Sequence, residues 1–223
     1  MTFVHHYQPF GNAIELFYSR DPEVLYEGAA GTGKSRACLE KIHLLAMLNP
    51  GCRILMLRKT LVSLTSTGLV TYKEHVAKEH IESGEVKWFG GSPQEAAAFK
   101  YKNGSVIVVG GMDKSMKIMS SEYDVVYVQE ATELTENDWE AITTRLRNGK
   151  ISFQQLIADC NGYGICVRGS IENSACGCVY VINTVNIIPR CNESVSAGCN
   201  DKFVDDIFSK PYFRPTRHAA GRI

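Results

Sequence analysis

No run in the 223 residues comes near the ~18 apolar positions of a membrane-spanning helix, and the N-terminus has no signal-like apolar core. The sequence therefore predicts a soluble, cytosolic chain. Net charge is also absent, with 24 Lys+Arg against 24 Asp+Glu. No global basic field advertises nucleic acid, although a local basic track stays open. Cysteine is scarce over the first 159 residues, which hold only Cys38 and Cys52. The other six, Cys160, Cys166, Cys176, Cys178, Cys191 and Cys199, crowd into forty residues. Cys176-x-Cys178 is not a paired C-x₂-C, which argues against a structural zinc site. There is no internal repeat and no low-complexity run. Composition shifts near residue 160: residues 1–160 carry 17 basic and 19 acidic side chains, net −2, and the remainder 7 and 5, net +2.

What is present is a glycine-rich loop. Gly28-Ala29-Ala30-Gly31-Thr32-Gly33-Lys34-Ser35 fits G-x-x-x-x-G-K-[ST] at every position. Glycines let the backbone curl so that successive N–H groups face phosphate oxygens. A helix starting near Lys34 aims its positive end at the same anion. In this pattern Lys34 reaches the β- and γ-phosphates, and the Ser35 hydroxyl ligates Mg²⁺. Glu23–Glu27 has β character, and Ser35–Leu48 places Leu39, Ile42, Leu45 and Ala46 on one helical face. Strand, glycine loop and helix together predict nucleotide binding.

Further along, a Pro-Gly turn leads into a buried strand at Ile54–Leu57. Residues 60–82 read mainly as helix, with Gly68 a weak point. Ala97–Gly111 reads as a hairpin turning at Asn103-Gly104. An apolar strand follows within Ser121–Leu134, then a capped helix over Thr135–Gly149, then a strand at Phe153–Asn161. Alternating strands and helices predict an α/β fold, a P-loop NTPase with a mostly parallel central sheet flanked by helices.

In P-loop ATPases a hydrophobic strand beside the P-loop strand ends in acids near the γ-phosphate. Asp124–Ala131, DVVYVQEA, supplies such a strand and Glu130. Gln129 holds the usual aspartate position and cannot offer the metal a full negative charge. Glu130 must then activate water and face the metal, with Ser35, phosphates and waters filling most of the Mg²⁺ shell. A glutamate after the strand end marks ATPases with an added catalytic strand.

The run from Ser121 to Asn161 resembles the ATPase domain of phage terminase large subunits, and the resemblance covers residues 1–161. Tyr7-Gln8-Pro9 resembles the adenine-contacting segment, with Gln8 as the contact. Gly28–Ser35 is the Walker A loop. Arg58-Lys59-Thr60 follows the second strand, Gln129–Glu133 is the acidic strand end, and Arg145-Leu146-Arg147 lies on the following helix. Asp159-Cys160-Asn161 matches the next strand end, where the family usually continues Asn-Pro, and implies that Asn161 couples hydrolysis to movement. The resemblance implies an ATP- and Mg²⁺-dependent motor that packages viral double-stranded DNA. Its partners would be a portal protein, a small terminase subunit and further copies of itself in a ring. Its place would be the host cytoplasm and, transiently, the procapsid portal. The loop carries no arginine of its own, so a trans arginine is needed, with Arg145, Arg147 and Arg58 as candidates against a plain surface ion pair for each. Lys100, Lys102, Lys114 and Lys117 are the local sources of phosphate contact on DNA, against a plain solvated face.

Past Asn161 the resemblance stops. Residues 162–223 read as an irregular, Cys-rich tail without the clustered carboxylates of a nuclease domain, Asp205-Asp206 being a lone pair. Cys178–Ile188 is strand-like and could pair with the sheet edge. The expectation is a gene interrupted at Asn161 and no nuclease activity, with a genuine small domain as the alternative. The rival functions are another P-loop DNA translocase or helicase-like ATPase, and a nucleotide-binding remnant without motor activity.

Overall fold

The computed structural model describes residues 5–161, 178–183 and 186–190. A nine-stranded sheet forms its centre, in the order β3-β4-β5-β2-β6-β7-β1-β8-β9. The strands are β1 Glu23–Gly28, β2 Arg53–Arg58, β3 Val86–Phe89, β4 Ala98–Tyr101, β5 Val106–Gly111, β6 Val125–Val128, β7 Gln155–Asn161, β8 Cys178–Asn183 and β9 Asn186–Arg190. The helices are α1 Asn12–Tyr18, α2 Lys34–Leu48, α3 Leu61–Ser66, α4 Gly68–Thr71, α5 Lys78–Glu82, α6 Met116–Met119 and α7 Glu136–Thr143.

Strands β5, β2, β6, β7 and β1 run parallel, and antiparallel pairs extend both edges. The central strands are apolar on both faces because helices cover both. Ile54, Met56, Val24 and Tyr26 meet Ala37, Cys38, Leu39, Ile42 and Leu45 of α2 in one core. Leu55, Leu57, Val126, Val128 and Leu156 meet Trp139 and Ile142 of α7 in the other. The two-residue alternation along each strand sorts these side chains.

Strand β7 lies between β1 and β6. The acidic strand is thus one strand removed from the P-loop strand, not beside it, and β7 is the added strand. The Asn103-Gly104 hairpin forms, with Gly104 at φ 86°. Thr135 caps α7 in a capping box with Asp138. That helix ends at Thr143, well short of Gly149, so Arg145 and Arg147 lie beyond it. The cause is tertiary: Tyr123 N–H donates to Arg145 O at 2.8 Å, and Arg147 N–H to Tyr123 O at 3.1 Å. The helical reading of residues 60–82 breaks into α3, α4, a π-helical turn at Tyr72–Val76 and α5. Strand β8 pairs antiparallel with β1 and β9 with β8, so the strand-like piece of the tail does join the sheet edge, as its apolar run allows. Asp205 and Asp206 lie outside the described residues, as do Cys166, Cys176, Cys191 and Cys199. Among the described residues no helix is long and apolar enough to cross a membrane.

Candidate nucleotide site

The glycine loop leaves β1 at its C-terminal end and opens α2. Gly31 and Gly33 take φ of 78° and 82°, a region closed to most side chains at low cost. Ala29, Ala30, Gly31, Thr32 and Gly33 are exposed, while Gly28 and Lys34 are buried. The loop is thus anchored at both ends and open between them, as a cradle for an anion must be.

Parallel register places Gly28 opposite Asn161 at the end of β7. Lys34 Nζ donates to Ala29 O at 2.6 Å and to Asn161 Oδ1 at 3.1 Å. Asn161 Nδ2 in turn donates to Glu130 Oε1 at 3.1 Å. One amide therefore bridges the loop lysine and the strand-end glutamate. Glu130 has φ 54°, the one positive φ outside glycine among the described residues. Such a backbone persists only when its surroundings hold it. Here the Glu130 N–H donates to Asp159 Oδ1 at 3.0 Å.

Asp159 is the residue that motif reading passed over. It is 1% exposed. Its Oδ2 accepts from the Ser35 hydroxyl and, at 3.2 Å, from Tyr127 OH. Burial raises the Asp159 carboxyl above its ordinary range, opposed by the bonds from Ser35 and the Glu130 backbone. Gln129 is occupied elsewhere: its Oε1 accepts from Thr67 Oγ1 at 3.1 Å and lies against Gly68. The acid that faces Ser35 comes from β7, not from the end of β6. Only the order of strands in space could have revealed this.

A hard cation such as Mg²⁺ takes oxygen ligands. A hydroxyl backed by a buried carboxylate, with Glu130 alongside, is such a donor set. These residues fit such an ion, which the Ser35 hydroxyl would meet with Asp159 behind it.

The other candidates are dispersed. Gln8 is exposed, next to Tyr7, which stacks on Phe17 with centroids 5.6 Å apart and has the Arg36 guanidinium 5.9 Å over its ring. Arg58 ends β2 on the Glu130 side and forms a two-pronged ion pair with Glu133, at 2.6 and 2.9 Å. Arg145 donates to Met119 O at 3.0 Å, and Arg147 pairs with Glu122 at 2.9 Å. Both lie at the start of β6, while Glu130 lies past its end; the stretch between Tyr123 and Glu130 spans about 20 Å when extended. Lys100 and Lys102 are paired with Glu95 and Glu85, each at 2.7 Å.

The sheet order, the glycine loop before α2 and a strand-end glutamate across an intervening strand define a P-loop ATPase fold of the added-strand class. The family model described as phage terminase large subunit matches residues 21–164, more than half of the chain, and the chain belongs to that family. Among solved structures, the large terminase of a thermophilic bacteriophage matches with TM-score 0.54 at 14% identity, over 69% of this chain and 39% of that one. The ATPase domain of the Thermus phage P74-26 large terminase matches with TM-score 0.54 at 15% identity, over 72% and 67%. The HK97 bacteriophage large terminase matches with TM-score 0.50 at 14% identity, over 67% and 31%. The chain spans about two fifths of the first of these proteins. Comparison with curated proteins found no match.

Proposed function

We propose that this chain is the ATP-hydrolysing motor part of a terminase large subunit, driving viral double-stranded DNA into a procapsid. The observation that carries the reading is the bridge Lys34–Asn161–Glu130. A phosphate arriving in the loop competes with Asn161 for the lysine. Release of Asn161 then alters its hold on the glutamate that would position water. Binding and hydrolysis are thereby coupled through one side chain on β7, whose other end runs through the core.

In this reading Lys34 and the loop N–H groups of residues 29–35 bind the phosphates, and Gln8 contacts the adenine. When bound, Mg²⁺ offsets charge on the phosphate oxygens. Ser35 would hold it, with Asp159 fixing the hydroxyl. Glu130 orients and deprotonates the attacking water. Arg145 or Arg147, remote from their own chain's loop, would serve a neighbouring copy in a ring; Arg58 is the candidate on the catalytic side. Portal protein, small terminase subunit and duplex DNA are the proposed partners, in the host cytoplasm and at the procapsid.

ATP turnover by the purified chain, with and without duplex DNA, tests this. Mg²⁺-dependent turnover that is lost in Lys34→Ala and raised by DNA is the expected result. No turnover in the wild-type chain would leave a nucleotide-binding remnant. Wild-type turnover in Lys34→Ala would remove the site assignment.

A further inference from the structure

We propose that His5, His43 and His80 form a binding site for a zinc-class divalent cation, on the far side of α2 from the phosphate loop. One ligand-capable atom from each of the three lies within 4.8 Å of the others. The rings stand at centroid separations of 5.1, 5.4 and 4.9 Å, so no pair is stacked in isolation from the third. Nε2 of His43 faces Nδ1 of His80 at 3.1 Å. Two imidazole nitrogens on one tetrahedral zinc, at metal–nitrogen bonds of roughly 2.0–2.1 Å, stand about 3.3 Å apart. One edge of the site is therefore already at the required length, and His5 has to close on it by an ångström or so.

The outer arrangement supports the same assignment. Glu40, buried in α2, holds His5 through Nε2. Tyr72 and Tyr101 hold His43 through Nδ1, each at 2.8 Å. Metal-bound imidazoles are oriented in this way through the nitrogen that does not touch the metal. For His5 this leaves Nδ1 to an ion, and for His43 it leaves Nε2, whose hydrogen bond with His80 Nδ1 an ion would replace, displacing the shared proton. A cavity of about 190 Å³ opens beside the trio, lined also by Leu44, Met47, Glu85 and Lys102, and gives an ion an entry path and room for water. Nitrogen donors select zinc, cobalt, nickel or copper over magnesium.

The ligands come from three separate places: the segment before α1, the middle of α2 and α5. An ion would tie the N-terminal segment to the P-loop helix three residues before Gln8. Its effect on adenine contact rests on the nucleotide reading above; the metal site does not.

The test uses the full chain without an affinity tag, stripped with a chelator and titrated with Co²⁺, followed by Zn²⁺ competition. One equivalent of Co²⁺ should bind with visible d–d absorption of a low-coordinate nitrogen site and be displaced by Zn²⁺. His5→Ala and His80→Ala should each weaken binding by at least about tenfold, and Glu40→Gln by about tenfold. His6→Ala, at an exposed neighbour, should leave it unchanged. His5 lies outside any helix or strand, so His5→Ala decides the matter even if His80→Ala unfolds the chain. No stoichiometric Co²⁺ binding by the wild-type chain, or wild-type affinity in His5→Ala, would overturn the proposal. Neither outcome depends on ATP turnover.

Discussion

Gln129 and Asp159 end neighbouring strands and divide between them what one acidic residue is expected to do. The amide at 129 is committed to Thr67 and to the close approach of Gly68. The carboxylate at 159 is committed to Ser35, Tyr127 and the backbone of Glu130. Burying a carboxylate without a cationic partner is costly, and it is retained where a cation arrives to offset it. Asp159→Asn should therefore raise the Mg²⁺ concentration needed for half-maximal ATP turnover by roughly tenfold, since partners behind a metal ligand contribute about that much. Gln129→Ala should leave the Mg²⁺ requirement near the wild-type value. A larger shift from the Gln129 change would reverse the division of roles.

At the scale of elements, what was legible in the sequence is what is coded locally. The glycine loop, α2, the Asn103-Gly104 hairpin and the Thr135 cap each carry their signal within a few residues. The α3–α4 break does not. Gly68 reads as a weak point, but its physical reason is that a Cβ there would meet Gln129 Oε1 at 2.7 Å, from a residue far along the chain. Gly68→Ala should destabilise the domain by about 1 kcal/mol, because the Gln129 amide can swing aside only by giving up its bond from Thr67, as measured by urea unfolding. A stabilised variant, as expected of an ordinary helical glycine, would contradict this. The end of α7, the short strand β3 and the histidine trio were illegible for the same reason: each depends on partners distant in sequence. Asp159 was visible as a strand end, but its partner Ser35 was not.

Lys41 is a second case of distant partners. It is buried in α2 and donates to Leu16 O, Ser19 O and Gln155 Oε1 at 2.8, 2.8 and 2.6 Å, joining α1, α2 and β7. Burial lowers its pKa to about 7. Above pH 7 the folded chain would then shed this proton and with it one of the three donated bonds, since a neutral amine has two N–H groups, while the unfolded lysine, at about 10.4, keeps its own. Unfolding then takes up a proton, so stability rises with pH, by up to about 1.4 kcal/mol per unit. Between about pH 7 and 8.5 the unfolding free energy should climb more steeply in the wild-type chain than in Lys41→Met. Equal slopes would show that Lys41 stays charged in the fold.

Over the whole molecule, five parallel strands deliver Gly28, Asn161, Glu130 and Arg58 to one end of the sheet. The insertion of β7 between β1 and β6 lets a single amide touch both the loop lysine and the glutamate. Arg145 and Arg147 are delivered to the other end, where Met119 O and Glu122 hold them. Family membership agrees with this architecture, and it is the catalytic division of labour within the site that calls for a direct test.

That test is the comparison of Glu130→Gln with the wild-type chain for Mg²⁺·ATP binding and for single-turnover hydrolysis. Loss of a general base costs roughly 10²- to 10⁴-fold in rate, while the amide can still accept the Asn161 bond. The account predicts ATP affinity within a few-fold of wild type and hydrolysis slowed by that factor. Unchanged hydrolysis in Glu130→Gln, at unchanged affinity, would contradict it and leave the strand-end glutamate without a chemical role.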